Sequence, residues 1–197
     1  MTNKARVAVL ISGRGSNLQA LIDACAARDY PAKIVLVISN IADAFGLERA
    51  RKADIPTTIV RHRDYATRET FDNAMDLKLR EAGAEFVCLA GFMRLLSADF
   101  VRRWESRVLN IHPSLLPAFK GLNVHEQVLA SGVRVSGCTV HFVIPELDSG
   151  PIIAQAEVPV MPGDTVETLS ARVLEAEHKL YPHALELVAE GRVTLEP

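Results

Sequence analysis

The stretch Val7–Leu18 (VAVLISGRGSNL) decides the fold class of this 197-residue chain. It begins with the apolar run 7–11, which is typical of a strand buried on both faces of a sheet. Apolar residues then recur with the spacing i, i+3, i+4 and i+7, which predicts the buried face of a helix: Leu18, Leu21, Ile22 and Cys25. A strand that leads directly into a helix is the repeating unit of a parallel α/β sheet.

The same alternation of strands and helices continues to about residue 112. Short apolar runs predict four more strands: 34–38, 57–60, 86–90 and a run ending at Asn110. Helical spacing predicts three helices among them: near 45–53, at 68–81 and near 98–104. A series of this kind predicts a mostly parallel sheet covered by helices on both faces.

The pattern changes beyond residue 112. A proline-rich loop precedes a predicted helix at 124–131. Two β-type runs, 134–143 and 151–158, flank a turn at 146–150 and predict an antiparallel hairpin. We therefore expect a single domain over residues 1–197, an α/β Rossmann-like three-layer sandwich whose mostly parallel sheet ends in an antiparallel C-terminal hairpin.

A last helix closes the chain. Asp164 or Thr165 should open it, with Glu167 placed to complete a capping box. Pro182 is expected to kink or interrupt this helix, because proline lacks the N–H that a helix interior needs.

Composition excludes several classes of protein. A net charge of −2 argues against a nucleic-acid-binding module, which is usually basic. The apolar run 7–11 is too short for a signal peptide or a membrane span. The chain has three widely separated cysteines, Cys25, Cys88 and Cys138. Their odd number and the lack of a C-x-x-C spacing favour a reducing compartment over a disulfide framework. We expect a cytoplasmic protein whose partners are small molecules rather than nucleic acid or membrane.

The loop Ser12–Asn17 between the first strand and helix is a candidate phosphate site. Its glycines permit a tight turn with exposed N–H groups, and the helix N-terminus adds partial positive charge. Leu18 stands where a dinucleotide fingerprint has glycine or alanine, and Ser39-Asn40 stand where it has an acid. The loop therefore favours a mononucleotide-like phosphate over NAD. A plain glycine turn with a serine helix cap is the structural alternative.

Asn110 and His112 form the candidate catalytic pair. Residues two apart on a strand point to the same side, and ligands bind at the carboxyl ends of strands in doubly wound sheets. An amide can donate to developing negative charge, and an imidazole can also move protons near neutral pH. Alternatively, His112 is a loop residue beside Pro113, and Asn110 only forms hydrogen bonds to nearby backbone groups.

Two further segments have both a functional and a structural interpretation. Asp148 in Glu146–Pro151 (ELDSGP) could hydrogen-bond His112 and favour its charged form, or it could be an ordinary turn residue before Gly-Pro. The segment Ala90–Leu96 (AGFMRLL) could wall a flat heteroaromatic ring, or it could belong to the core. The spacings of the histidines match no recognised metal site, so no metal is expected.

Taken together, these motifs resemble the phosphoribosylglycinamide formyltransferase family, folate-dependent enzymes of purine synthesis, over about residues 5–191. Five stretches carry the resemblance: 9–20, 39–40 with 42–50, 89–94, 109–117 and 146–151. The sequence Asn-Ile-His-Pro-Ser-Leu-Leu-Pro marks the wider folate formyltransferase superfamily. The Gly-Ser-Asn loop narrows it to the purine enzyme and to formyltetrahydrofolate deformylase, which normally carries an extra N-terminal regulatory domain for which this chain has no room.

The resemblance implies the formyltransferase fold, 10-formyltetrahydrofolate as co-substrate without metal, and a monomer or homodimer. It implies transfer of the formyl group to the amine of 5-phosphoribosylglycinamide by direct attack, with the oxyanion stabilised by Asn110 and His112 and with Asp148 paired to His112. Residues expected to bind the phosphorylated substrate are Gly15, Ser16, Asn17 and, near its amine, Glu177. Residues expected to bind the folate are Arg68, Met93, Arg94, Leu95, Leu96 and Asn110.

Three other functions stay open at this point. Water in place of the amine would make the chain a formyltetrahydrofolate hydrolase. Another amine acceptor would make it a different formyltransferase. A Rossmann-like nucleotide-binding module without chemistry is the alternative from another class.

Overall fold

The computed structural model describes residues 4–193. Within them, seven strands form one sheet: β1 (Ala5–Ile11), β2 (Ala32–Ser39), β3 (Thr57–Ile59), β4 (Phe86–Leu89), β5 (Val108–His112), β6 (Val135–Phe142) and β7 (Ile152–Pro159). Six α-helices accompany them: α1 (Ser16–Cys25), α2 (Gly46–Lys52), α3 (Arg68–Glu81), α4 (Ala98–Arg103), α5 (Val124–Ser131) and α6 (Val166–Ala189). None of the helices within 4–193 is long and apolar enough to cross a membrane.

The strand order in the sheet is β3-β2-β1-β4-β5-β6-β7. The first five strands pair in parallel, and β6 and β7 are antiparallel to their neighbours. The predicted mostly parallel sheet with a C-terminal antiparallel hairpin is therefore confirmed. The chain winds outward from β1 to β3 and then returns to place β4 on the other side of β1. The carboxyl ends of β1 and β4 consequently mark the switch point where such sheets bind ligands.

The core lies in two layers, one on each face of the sheet. Alternate residues of β1 supply both layers, because successive side chains of a strand point to opposite faces. Val9 and Ile11 pack with the layer of α1 and α6, and Ala8 and Leu10 pack with the layer of α3. The predicted three-layer arrangement follows from this double burial of β1.

Three local predictions were wrong. β5 does not end at Asn110 but continues to His112, because β6 supplies a pairing partner at Thr139. The capping box of α6 is closed by Thr165 and Thr168 rather than by Glu167. The interruption of α6 at Pro182, one of the two effects expected there, was wrong, because the helix continues through it with buried residues on both sides: Leu180, Tyr181, Ala184 and Leu185.

Tyr181 ties α6 to the strand ends that carry the candidate site. Its buried hydroxyl lies 2.9 Å from the carbonyl oxygen of Leu89 and 3.1 Å from that of Leu109. These carbonyls belong to β4 and β5, next to the switch point. The helix on one face of the sheet thereby helps to set the positions of the two strands.

Candidate active site

The Gly-rich loop leaves the first turn of α1 without a side-chain cap. Gly15 is the N-cap residue with φ 70° and ψ 34°, a left-handed conformation that suits glycine. Among residues 4–193, no side chain accepts a hydrogen bond from the first turn, and the turn itself contains no acidic residue. Its free N–H groups and positive helix end are consequently available to an anion. The alternative of a serine cap does not describe this helix, since Ser16 lies inside it.

The side chain of Asn17 is directed to Glu177 on α6. Asn17 Nδ2 donates to Glu177 Oε2 over 2.7 Å, and both residues are buried. Burial raises the pKa of Glu177, although the bond from Asn17 acts in the opposite direction. Asn17 Oδ1 is also buried and has no hydrogen-bond partner in the described part of the chain. The structure thus brings together two of the four residues expected to bind the phosphorylated substrate.

His112 is held between two oxygen atoms at the end of β5. It is 5% exposed, and its Nε2–H donates to the carbonyl oxygen of Phe119 over 2.8 Å. Its Nδ1 lies 3.5 Å from Asp148 Oδ2. Each ring nitrogen therefore faces an oxygen atom that can accept a hydrogen bond.

Asp148 reaches His112 because the turn before β7 lies tightly against β6. A Cβ atom on Gly150 would collide with the carbonyl oxygen of Phe142, so only glycine permits this approach. Asp148 itself has φ 48° and is 9% exposed. Its Oδ2 also accepts the N–H of Gly121 over 2.9 Å. The carboxylate therefore joins the turn, the loop after β5 and the imidazole.

His141 on β6 is the third polar residue of this cluster. Its Nδ1–H donates to the carbonyl oxygen of Phe142 over 2.9 Å, and burial lowers its pKa. In the neutral ring, Nε2 is then an acceptor, and it lies 3.3 Å from Asn110 Nδ2. The same Nε2 lies 3.9 Å from Asp148 Oδ1. His141 consequently orients the amide of Asn110 with its NH2 group toward the cluster.

No catalytic role was predicted from the sequence for His141 or for the loop after His112. Asn110 pairs with His141 across β5 and β6, but the register of two strands 31 residues apart cannot be read from composition. In the loop, Phe119 contributes a carbonyl oxygen and Gly121 an N–H group. Backbone atoms carry these contacts, so residue type offered no signal for them.

The segment after β4 exposes apolar side chains beside the switch point. Met93 is 73% exposed and Leu95 58% exposed. The N–H of Met93 donates to Ser12 Oγ over 2.8 Å, which attaches this segment to the end of β1. Exposed apolar residues of this kind are typical of a binding surface for a flat ring.

The other residues expected to bind folate are more scattered. Leu96 is half-buried, and Arg94 is exposed on the same segment. Arg68 is exposed at the first residue of α3. Among the described residues, no hydrogen bond joins either arginine to the cluster around His112. Within the same part of the chain, no group of three or more His, Cys, Asp or Glu side chains is placed to hold a metal ion.

An amide, an imidazole and a carboxylate therefore converge at the carboxyl end of β5, beside an uncapped helix N-terminus and an exposed apolar segment. The family described as Formyl transferase matches residues 5–185 of this sequence. The chain belongs to the formyl transferase family. The formyltransferase fold expected from the sequence is thereby confirmed.

Relatives within the formyl transferase family include proteins of similar length. Phosphoribosylglycinamide formyltransferase of Escherichia coli is 47% identical over 189 residues, which cover 96% of this chain and 89% of that protein. The crystal structure of glycinamide ribonucleotide transformylase 1 from Symbiobacterium toebii has a TM-score of 0.95 at 50% identity, covering 98% of this chain and 91% of that one.

A longer relative matches over a part of its length. The trifunctional purine biosynthetic protein adenosine-3 of Bos taurus is 61% identical over 192 residues, or 98% of this chain. These residues are 19% of that protein, so the chain spans about a fifth of its length.

Proposed function

We propose that this protein transfers a formyl group from 10-formyltetrahydrofolate to the amine of 5-phosphoribosylglycinamide. Membership of the formyl transferase family and the name of the Escherichia coli relative support this reaction. The single observation that carries it is the convergence of Asn110, His112 and Asp148 at the end of β5. Small-molecule substrates, a cytoplasmic location and a monomer or homodimer belong to the same proposal.

The two substrates would occupy opposite sides of this cluster. The uncapped turn at Gly15, Ser16 and Asn17 would receive the phosphate. Glu177, held by Asn17, would contact the acceptor near its amine. The folate would lie against the exposed apolar segment, and its contacts are expected from Arg68, Met93, Arg94, Leu95, Leu96 and Asn110.

The chemistry follows from charge. The acceptor amine attacks the formyl carbon and creates a tetrahedral intermediate with an oxyanion. Donation from Asn110 Nδ2–H and His112 would stabilise that charge, and losing one such donor typically costs about 3–4 kcal/mol of barrier. The attacking nitrogen loses one proton and the departing folate nitrogen gains one, through His112 or a water ordered by Asp148. No covalent enzyme intermediate is needed.

His112 Nε2–H cannot donate to the oxyanion while it donates to the carbonyl oxygen of Phe119. The loop 113–123 would therefore move when substrate binds, so that His112 Nε2–H donates to the formyl oxygen instead of the Phe119 carbonyl. Asp148 could keep its contact with Nδ1 during the exchange, because Phe119 and Asp148 engage different ring nitrogens.

The direct test supplies 10-formyltetrahydrofolate with and without 5-phosphoribosylglycinamide. We expect tetrahydrofolate to appear only when the acceptor is present, in equal amount to formylated acceptor. Release of tetrahydrofolate without the acceptor would instead identify a hydrolase. If no tetrahydrofolate were released under either condition, the protein would be a nucleotide-binding module without catalytic activity. His112→Ala should abolish transfer, whereas His183→Ala, on the exposed surface of α6, should not. Near-wild-type turnover by His112→Ala would exclude its proton role.

A further inference from the structure

Helix α2 binds two of the carbonyl groups of the Gly-rich loop, those of Gly13 and Arg14. The N–H of Gly46 donates to the carbonyl oxygen of Gly13 over 3.0 Å. The Nε–H of Arg49 donates to the carbonyl oxygen of Arg14 over 2.8 Å. Both residues lie in the stretch 42–50, which has no part in the proposed chemistry.

These two bonds determine where the N–H groups of the loop point. In a planar trans peptide, the C=O and the following N–H point in opposite directions. Because the carbonyls of Gly13 and Arg14 face α2, the N–H groups of Arg14 and Gly15 face away from it. They join the uncapped N–H groups in the first turn of α1. The carbonyl dipoles, which would repel an anion, are turned to the other side.

Arg49 is itself held in place. Its Nη1 lies 3.3 Å from Gln19 Oε1, and its guanidinium carbon lies 5.0 Å from the ring centre of Phe45. The loop and α2 are also in close contact, since a Cβ atom on Gly15 would lie 2.6 Å from Gly46 Cα. The guanidinium is thus fixed on three sides, and a change at Arg49 is transmitted to the loop.

We propose that Arg49 is a positioning residue, which presents the backbone N–H groups of the Gly-rich loop to the substrate phosphate by binding the Arg14 carbonyl. This inference rests on the proposed function, because the phosphate is that of the acceptor. Arg49 acts through the loop and does not itself touch the ligand. Its contribution comes from the Nε–H hydrogen bond and not from its charge.

Two substitutions distinguish the effect of the Nε–H hydrogen bond from the effect of the charge of Arg49. Arg49→Gln places an uncharged N–H donor at the position of Nε, since both atoms are bonded to Cδ. Arg49→Lys keeps the charge but has a methylene group at that position. We expect Arg49→Lys and Arg49→Ala to raise the KM for 5-phosphoribosylglycinamide about fivefold to tenfold, the usual scale of one hydrogen bond. Arg49→Gln should stay within about twofold of wild type.

The other kinetic constants provide the controls. The kcat and the KM for 10-formyltetrahydrofolate should change by less than about twofold in all three variants, since only the phosphate contact is affected. Arg51→Ala, an exposed residue of the same helix, should leave every constant unchanged. The reverse order, in which lysine preserves the KM and glutamine raises it, would overturn the proposal and assign Arg49 a direct charge interaction.

A binding measurement separates this inference from the proposed function. Inorganic phosphate is titrated into 15N-labelled protein while the amide resonances of Gly15 and Ser16 are followed. We expect saturable shifts in wild type and Arg49→Gln, with a several-fold weaker midpoint in Arg49→Lys. Equal midpoints in all variants, or no shifts in wild type, would refute the role of Arg49. Failure of formyl transfer by wild type with these shifts intact would refute only the reaction.

Discussion

Asn17 and Glu177 are 160 residues apart in the chain, and yet Asn17 Nδ2 lies 2.7 Å from Glu177 Oε2. The bond connects the first turn of α1 to the middle of α6 on one face of the sheet. It places a carboxyl group of raised pKa next to the candidate phosphate loop. Removing the charge of Glu177 while keeping the bond therefore tests both stability and substrate binding.

Glu177→Gln should make the protein more stable at neutral pH. Burial raises the pKa of Glu177 above its ordinary 4.5, so its stabilising contribution is complete below that pH and is lost as pH rises through the folded-state pKa. Glutamine keeps the acceptor for Asn17 without this loss. Urea unfolding at pH 5 and pH 8 should show a gain from the substitution that is larger at pH 8.

The matched control is Glu175→Gln, an exposed residue on the same helix. Its effect on the free energy of unfolding should stay within about 0.5 kcal/mol. An equal effect of Glu177→Gln at both pH values would contradict the assignment of a raised pKa. The proposed contact with the acceptor further predicts a higher KM for 5-phosphoribosylglycinamide in Glu177→Gln.

Asp148→Asn should lower kcat about 100-fold, since it removes the carboxylate that faces the imidazole of His112 while preserving the size of the side chain. Steady-state kinetics across a range of pH would measure this effect. Asp99→Asn, an exposed residue of α4, serves as the control and should not alter turnover. A kcat within about twofold of wild type, with an unmoved pH–rate profile, would exclude the pairing.

Tyr181→Phe should cost about 1–3 kcal/mol of stability, because it removes the buried donor to the Leu89 and Leu109 carbonyls. Chemical denaturation of the purified variant would measure the change. Tyr65→Phe is a suitable control, as the hydroxyl of Tyr65 makes no hydrogen bond to the described residues. A loss no larger than that of Tyr65→Phe would show that the two carbonyls do not depend on Tyr181.

Gly150→Ala should destabilise the protein by about 1–3 kcal/mol and also lower kcat. The new methyl group would collide with the Phe142 carbonyl and displace the turn that carries Asp148. Thermal unfolding should be compared with Gly13→Ala, whose Cβ would meet none of the described residues within 4 Å, and turnover should be compared with wild type. If Gly150→Ala were no less stable than Gly13→Ala, the close approach would not be required.

Elements with strong local signals were predicted almost to the residue. Helical spacing and flanking breakers predicted α3 at 68–81 and α5 at 124–131, and both agree with the structure. The end of β5 was misplaced at Asn110, because its last residues depend on pairing with β6 rather than on their own pattern. The N-cap of α6 is Thr165, one of the two residues predicted for it, but its capping-box partner was wrongly assigned to Glu167. The partner stands three residues after the N-cap, so Asp164 would require Glu167 whereas Thr165 requires Thr168.

For the candidate site, the sequence indicated residues whose functional roles stay predictions, and it did not indicate the distances between them. Asn110 and His112 were recognisable because they are two apart on one strand. The distance from His112 to Asp148 was not, because it depends on a glycine turn that packs against a strand distant in sequence. His141 and the Phe119 carbonyl were missed for the same reason.

Local sequence patterns were enough to predict the α/β class, the strand–loop–helix at residues 7–25 and the chemical types available at the strand ends. Those properties depend on periodicity and on local backbone preferences, which act over a few residues. Three contacts became visible in the folded chain: Asn17 with Glu177, Arg49 with the Arg14 carbonyl, and Asp148 with His112. Such contacts join residues distant in the chain, and their distances are set by how the helices and the hairpin pack on the sheet.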